Sequence, residues 1–306
     1  MKKVNDPLIS IVTLNWNTAG MTCCFLESSR QLNYRNYEIL VCDMNSDVDP
    51  SFQIGSYDFP HTTVLRSNKN LGFAGGNNWG IAQAKGDYIF IVNNDTELTP
   101  DLLHLLLEPF REDPSIGVVC PKIRFYHSPS IIQYAGFKPM NFFTGRTSAI
   151  GNKEEDKGQY NVSGYTAGAH GCAMMVKKEV IEEIGAFPES FFLYYEEWDW
   201  SCRILNAGYK IFYQAKGLIY HKESVTVGKA NPLKVYYLTR NRILFMRRNS
   251  AWFQFLVFII FFGLFSFPKS VVSYLLKKQF QFAKSFLRGT WNGILQSKYS
   301  PVYNSN

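Results

Sequence analysis

The run Tyr88-Ile89-Phe90-Ile91-Val92, followed at once by Asn93-Asn94-Asp95, constrains this chain more than any other stretch. Five apolar residues, aromatic or β-branched, read as a short buried strand. The abrupt change to two amides and a carboxylate sets a polar cluster at the strand's carboxyl end. In open α/β sheets, ligands bind at that end. Hard cations such as Mg²⁺ take oxygen ligands and keep waters and substrate phosphates in their shell. A carboxylate there suits a cation and an anionic substrate together. Asn and Asp also favour turns, so the tripeptide taken alone is equally a strand-to-turn transition.

The pattern recurs along the chain. Residues 8–14 read as a first strand ending in Asn15-Trp16-Asn17-Thr18, with Thr18 placed to cap a helix through about Arg30. Residues 37–42 form a second strand ending at Asp43-Met44-Asn45-Ser46-Asp47, and residues 62–65 a third. Strand, helix, strand with polar strand ends predicts an α/β fold with a Rossmann-like, mostly parallel sheet flanked by helices. Asp43, just past a strand end, is placed either to bind a nucleoside or to serve a turn. The stretch Asn70-Leu71-Gly72-Phe73-Ala74-Gly75-Gly76-Asn77-Asn78 reads as a Gly-rich loop ahead of a short helix. Such a loop lets the backbone approach a phosphate, although it is neither a Walker loop nor GxGxxG. Thr99-Pro100 opens a helix to about Glu112, a strand follows over 116–120, and residues 125–165 read as surface loops and short hairpins.

A second chemical cluster is Phe191-Phe192-Leu193-Tyr194-Tyr195-Glu196-Glu197-Trp198-Asp199-Trp200-Ser201-Cys202-Arg203. In a helix starting near Tyr195, Glu196 and Asp199 share a face and Glu197 points elsewhere. Acids favour a helix's first turn for electrostatic reasons alone. An acid packed among aromatics is also desolvated, which raises its pKa towards that of a general base. Arg203 is placed to pair with Glu196 or Asp199. Strands over 210–213 and 218–220 lead to His221, a candidate third metal ligand at a strand end.

The charge is unevenly distributed. Residues 1–202 carry 16 Lys/Arg against 24 Asp/Glu, whereas residues 203–306 carry 16 Lys/Arg and the single acid Glu223. A basic tail suggests an anionic membrane surface, a nucleic acid or a polyphosphate. After a predicted helix over 232–248, Asn249 to Pro268 are twenty uncharged, mostly apolar residues, about the length of a membrane span. Polar residues within the run favour a monotopic or re-entrant segment, with a true span close behind. A buried core helix fits least, because it does not explain the basic flanks, which on both sides give no orientation. The last helix, over 279–295, interleaves aromatics with Lys284 and Arg288, as an interfacial helix does. The apolar run argues for membrane over nucleic acid. The expected division is a domain over 1–230 and a helical membrane-associating region over 231–306. Six cysteines show no CxxC or zinc spacing and read as reduced thiols.

In this order, the segments resemble the family 2 inverting glycosyltransferases of the GT-A fold, particularly the bacterial branch that contains rhamnosyltransferases. The resemblance spans about residues 8–245 and rests on Thr13-Leu14-Asn15-Trp16-Asn17, Asp43-Met44-Asn45-Ser46, the 70–78 Gly-rich stretch, Asn93-Asn94-Asp95, the 191–203 cluster and His221. It implies that Asp43 contacts the nucleotide base and that Thr13, Asn15, Asn45, Gly72, Gly75, Gly76, Asn77, Asn78, Asn93, Asn94 and Arg203 belong to the donor site. Asp95 and His221 would hold Mg²⁺ or Mn²⁺ on the donor diphosphate. The pair Glu196-Glu197, with Asp199 beside it, would supply the catalytic base, Glu197 matching its usual position. Two departures stand out: Asn93 replaces the first acid of the metal motif, and Glu197 replaces an Asp. The implied donor is a dTDP- or UDP-linked sugar, with a deoxyhexose such as rhamnose favoured. The acceptor would be a lipid-linked glycan at the cytoplasmic face of the cell membrane. Two other readings stay open. One is a nucleotidyltransferase, disfavoured because residues 13–20 lack Lys and Arg. The other is an inactive membrane-bound glycan-binding scaffold.

Overall fold

A computed structural model describes residues 6–222 and 231–297. Ten strands form one sheet: β1 (Ile9–Asn15), β2 (Tyr37–Asp43), β3 (Thr62–Arg66), β4 (Tyr88–Val92), β5 (Thr96–Leu98), β6 (Ile116–Phe125), β7 (Ser128–Tyr134), β8 (Gly164–Tyr165), β9 (Ala173–Lys177) and β10 (Lys210–His221). The order across the sheet is β3-β2-β1-β4-β9-β6-β10-β5, with β7 beside β6 and β8 beside β10. The sheet is mixed. Strands β1 to β4 pair in parallel, β9 runs antiparallel to both β4 and β6, and β10 is parallel to β6. The carboxyl ends of β1, β2, β3, β4, β6 and β10 therefore meet at one edge, together with the start of β9. The two strands expected over 210–220 are one strand, whose register slips between Gln214 and Leu218.

The helices of the sheet domain are α1 (Ala19–Ser29), α2 (Pro50–Gly55), α3 (Gly72–Gln83), α4 (Leu102–Glu112), α5 (Lys178–Ile184) and α6 (Glu196–Asn206). Strands β1, β2 and β4 are buried almost throughout, as strands covered on both faces must be. The expected Gly-rich loop is helix from Gly72 onward. Its glycines serve packing: a Cβ on Gly80 would sit 2.6 Å from Val12 Cγ1 and 2.7 Å from Cys42 Sγ, and one on Gly76 would sit 2.7 Å from Met44 Sδ. Only glycine lets α3 approach the sheet this closely.

The remaining chain forms α7 (Pro232–Asn249), α8 (Trp252–Phe261), a π-helical turn Phe262–Ser266, α9 (Phe267–Leu276) and α10 (Phe280–Leu295). From α8 through α9 the helix is continuous over Trp252–Leu276, long and apolar enough to cross a membrane. It turns back at Lys277-Lys278. Helix α10 then runs parallel to α7, because Cβ atoms on Gly289 and Gly293 would lie 2.6 Å from Tyr236 O and 2.9 Å from Arg240 O. Asn292 Nδ2 donates to Tyr236 Oη at 2.8 Å. Helix α9 packs on α10 through Tyr274 against Phe282 and Phe286. The three helices thus lie side by side, with Trp252, Leu264, Phe265, Leu276 and Trp291 exposed.

Candidate active site

A cleft of about 520 Å³ opens at the shared strand edge. Both chemical clusters of the sequence line it. Asn93, Asn94 and Asp95 follow β4, His221 ends β10, and Glu196 and Glu197 begin α6. Antiparallel pairing sets His221 opposite Thr96 of β5, and Lys222 N donates to Asp95 O at 2.9 Å. This pairing carries a residue 126 positions away to the side of Asp95.

Asp95 Oδ1 lies 3.1 Å from His221 Nε2. The other ring nitrogen, Nδ1, donates to Gln133 Oε1 at 2.8 Å. With Nδ1–H committed to that bond, the Nε2 lone pair faces a carboxylate oxygen that has no other hydrogen-bond partner. Two acceptors in contact require a proton or a cation between them. Burial disfavours the imidazolium, but Cys172 and Asp95 outweigh it and raise the pKa of His221 well above its ordinary value. A divalent cation fits the same place: an octahedral ion with bonds of about 2.1 Å has neighbouring ligand atoms about 3 Å apart. Among the described residues no group of three metal-ligating side chains converges. This suits an ion that completes its shell with water and substrate phosphates.

The acid pair is reached through an unusual turn. Phe192, Tyr194 and Tyr195 adopt φ of 65°, 70° and 73°, left-handed conformations that cost a non-glycine residue about 1–2 kcal/mol each. Glu196 is buried and Glu197 partly exposed, and one Oε2 of each is buried without a hydrogen-bond partner. Burial, reinforced by the charge of Glu197, raises the pKa of Glu196 well above the usual range. Burial alone raises that of Glu197 to about 7. Burial pushes both carboxyls up, and two adjacent acids so placed titrate as a pair that shares its protons above the usual carboxylate range.

Several expected site residues lie elsewhere. Asp199 was expected beside Glu196, but it turns away from the cleft and holds Arg203 at 3.3 Å, Arg248 at 2.6 Å and Asn249 at 2.9 Å. Arg203 is a brace, not a donor ligand: besides Asp199 it donates to Ile184 O and Ala186 O. Asp43 is fully buried and accepts from Asn15 Nδ2, Ser46 Oγ and Ser46 N. It ties two strand ends together, and Met44 lines the cleft instead. Asn15 is likewise consumed, accepting from Thr22 Oγ1 at 2.8 Å. Thr13 is buried within β1, and Asn45 is exposed outside the cleft. Gly75 and Gly76 pack inside α3, Asn77 Nδ2 bonds Phe73 O, and Asn78 bridges Phe187 and Glu189. Of that stretch, Asn70, Gly72 and Phe73 reach the cleft. Thr18 makes no cap hydrogen bond; its hydroxyl accepts from Asn94 Nδ2 at 3.0 Å.

The sequence did not point to Gln133, His170, Lys234 or Tyr237, all of which line the cleft. His170 Nδ1 accepts from Cys172 N at 3.1 Å, and burial lowers its pKa to about 3, so the ring is neutral. Its ring stacks on Phe137 at 5.5 Å. The signal for His170 was its place just ahead of β9, the antiparallel neighbour of β4.

The glycosyl transferase family 2 model matches residues 10–185, more than half of the chain, and covers every strand of the shared edge except β10. The chain belongs to glycosyl transferase family 2. A Mycobacterium tuberculosis relative, named N-acetylglucosaminyl-diphospho-decaprenol L-rhamnosyltransferase, is 24% identical over 272 residues, covering 81% of this chain and 87% of the relative. An uncharacterized Sinorhizobium fredii protein is also 24% identical, over 79% of this chain, but the chain spans only 27% of its length. Among solved structures, the mannosyltransferase PcManGT from Pyrobaculum calidifontis, in complex with GDP-Man and Mn²⁺, superposes with a TM-score of 0.61 at 12% identity, over 95% of this chain and 88% of that one. GalNAc-T7 with UDP, GalNAc and Mn²⁺ gives 0.62 at 15% identity, over 79% and 48%. The fold of this family 2 chain is the GT-A fold, carrying an additional C-terminal apolar helix.

Proposed function

We propose that this glycosyltransferase moves a sugar, with inversion, from a nucleoside diphosphate sugar to a lipid-linked glycan acceptor in cell-surface polysaccharide synthesis. The carrying observation is one cleft lined both by the Asp95–His221 pair and by the acid pair Glu196-Glu197. Mg²⁺ or Mn²⁺ bound there would act as a Lewis acid on the leaving diphosphate. Asp95 and His221 Nε2 would hold the ion, and the hydrogen bond of His221 Nδ1 to Gln133 fixes the imidazole tautomer that leaves Nε2 free. Asn93, Asn94 and Gly72 line the donor side. Glu197 accepts the proton of the acceptor hydroxyl as that oxygen attacks the anomeric carbon from the face opposite the diphosphate. Burial disfavours two adjacent negative charges, so the pair carries fewer charges than two free carboxylates would.

A dTDP-linked deoxyhexose such as rhamnose is the favoured donor, on the strength of the relative named a rhamnosyltransferase. A UDP-sugar is the runner-up, because a structural neighbour carries UDP. A thermal-shift panel of nucleotide sugars, with and without Mn²⁺ or Mg²⁺, tests the donor site. Metal-dependent stabilisation by one donor is expected. If no nucleotide sugar shifts the folded protein with either metal, the scaffold reading replaces the transferase.

The division into a transferase domain over 1–230 and a membrane-associating region over 231–306 belongs to the same proposal, at the cytoplasmic face. The apolar helix lies beside α7 and α10 for most of its length. From Phe280 to Gly289, α10 rises about 14 Å before it meets α7, well short of a hydrocarbon core of about 30 Å. That geometry supports a monotopic hairpin over a span. Its exposed Leu264, Phe265 and Leu276 would enter the interface, with Lys277 and Lys278 at its turn meeting anionic headgroups. The full chain is expected to float with anionic vesicles, and to be released by alkaline carbonate. Sedimentation away from anionic vesicles at low salt would refute the docking.

A further inference from the structure

The acid pair enters the cleft from a turn that an isolated peptide would not adopt. Three aromatic residues just before it, Phe192, Tyr194 and Tyr195, hold left-handed backbone, and that conformation persists only where the surroundings over-determine it. The surroundings here are a single side chain and its neighbour on α7. Asn241 is fully buried. Its Nδ2 lies 3.0 Å from Phe191 O, 2.7 Å from Leu193 O and 2.7 Å from Tyr194 O. Arg240 Nη2 donates to Ser190 O at 2.9 Å and Phe191 O at 2.6 Å, while its Nε donates to Asn241 Oδ1 at 2.7 Å and so orients the amide. On the other side, Phe73 N at the start of α3 donates to Phe192 O at 2.7 Å. The Phe192 ring stacks on Tyr237, 5.3 Å away and 16° from parallel.

We propose that Asn241, oriented by Arg240, is the positioning residue of this enzyme, fixing Glu196 and Glu197 in the cleft through the carbonyls of the 191–194 turn. The proposal rests on the acid pair being the catalytic machinery. It adds a residue of the C-terminal helices, beyond the segment matched by the family model, to the apparatus of the transferase. Every peptide of the turn is tied to α7 or α3, so the first turn of α6 starts at one fixed place. Without the amide, Leu193 O and Tyr194 O lose the donor that Asn241 supplies, Phe191 O keeps Arg240 Nη2 and Leu193 N, and the left-handed residues relax towards ordinary backbone. The carboxylates then move with the helix start, and a displacement of about 1 Å is enough to cost about 100-fold in rate.

The test is steady-state kinetics on the full chain with Asn241→Ala, Asn241→Ser, Glu197→Gln and Phe258→Ala. Phe258 packs under Arg242 of α7, away from the Asn241 amide's hydrogen bonds, so its variant loosens the same helix without removing a donor to the turn. The Asn241→Ala substitution is expected to lower kcat about 100-fold while donor KM changes less than about threefold. The Asn241→Ser variant, which retains one donor, should fall between it and the wild type. In both, the acidic limb of the pH–rate profile moves; in Phe258→Ala it does not. Should Asn241→Ala not fold, Asn241→Ser decides. Wild-type kcat and an unmoved acidic limb in Asn241→Ser would overturn the proposal. So would an equal loss of kcat in Phe258→Ala at matched melting temperature. If Glu197→Gln itself retains turnover, the acid-pair reading falls first. If Glu197→Gln is inactive while Asn241→Ser turns over at the wild-type rate with an unmoved acidic limb, the positioning role alone falls.

Discussion

Replacing Glu197 with glutamine is expected to lower kcat about 10³-fold, within the range that general-base catalysis contributes. The substitution preserves size and keeps the side chain at the cleft, so folding and donor affinity should hold. What disappears is the proton acceptor. Glu197 is assigned over Glu196 because its side chain is partly open to the cleft, where an acceptor hydroxyl can reach it, whereas Glu196 is buried. Burial raises the pKa of Glu197 to about 7. Glu196 is raised further, by burial and by the charge of Glu197. For the wild type, the ionised fraction of Glu197 grows with pH, so kcat/KM should climb through about pH 7 and then level. The Glu197→Gln profile should lose that limb, and Glu196→Gln should be the milder change. Stability carries the opposite sign. A carboxyl whose folded pKa lies above its unfolded value favours folding where it is protonated, and that advantage fades as pH rises towards about 7. Above pH 7, Glu197→Gln should therefore melt slightly higher than the wild type. Near-normal turnover in Glu197→Gln would remove the base assignment.

Asp95→Ala should remove metal-dependent donor binding and lower turnover about 10²–10³-fold, as loss of one group that stabilises transition-state charge does. Among the described residues Asp95 is the carboxylate in contact with His221, and Asn93 and Asn94 bring no charge. The lost contact should appear in isothermal titration as donor affinity that no longer responds to Mn²⁺. Gln133→Leu should act on the same ion from one step back. It removes the acceptor that fixes the His221 tautomer, and about 10–100-fold in metal affinity is the usual cost of such a loss. Undiminished metal response in Asp95→Ala would place the ion elsewhere.

The parallel half of the sheet was legible because strands buried on both faces write continuous apolar runs, and each ended in polar residues. The resemblance carried Asp95, Glu197 and His221, and the ends of β4 and β10 and the start of α6 line one cleft with them. The misreadings have physical causes. Helix propensity argued against α3, since Gly72, Gly75, Gly76 and Gly80 all weaken a helix. Close packing on Val12, Cys42 and Met44 overrode it. Helical spacing paired Glu196 with Asp199, but these acids start the helix. The first two residues of α6 both face the cleft, and Asp199, a turn later, is captured by Arg203 and Arg248. Asp43 and Asn15 sit at strand ends as expected, yet their polar atoms are spent on each other and on Ser46. Gln133 was hidden because β7 lies in a stretch of irregular composition, and its meeting with His221 depends on a sheet register that no local pattern records. Asn241 was hidden for the same reason: nothing in an amide on a basic helix reveals three carbonyls 47 to 50 residues upstream.

The most direct measurement is release of nucleoside diphosphate from a panel of dTDP- and UDP-sugars by the full chain with Mn²⁺, in anionic vesicles carrying a polyprenyl-diphosphate-linked acceptor, beside Glu197→Gln. One donor should give metal-dependent release with transfer to the acceptor, inverted at the anomeric carbon, and Glu197→Gln should give almost none. Equal release by both proteins, or none from any donor by protein that binds nucleotide, would contradict glycosyl transfer driven by this acid pair.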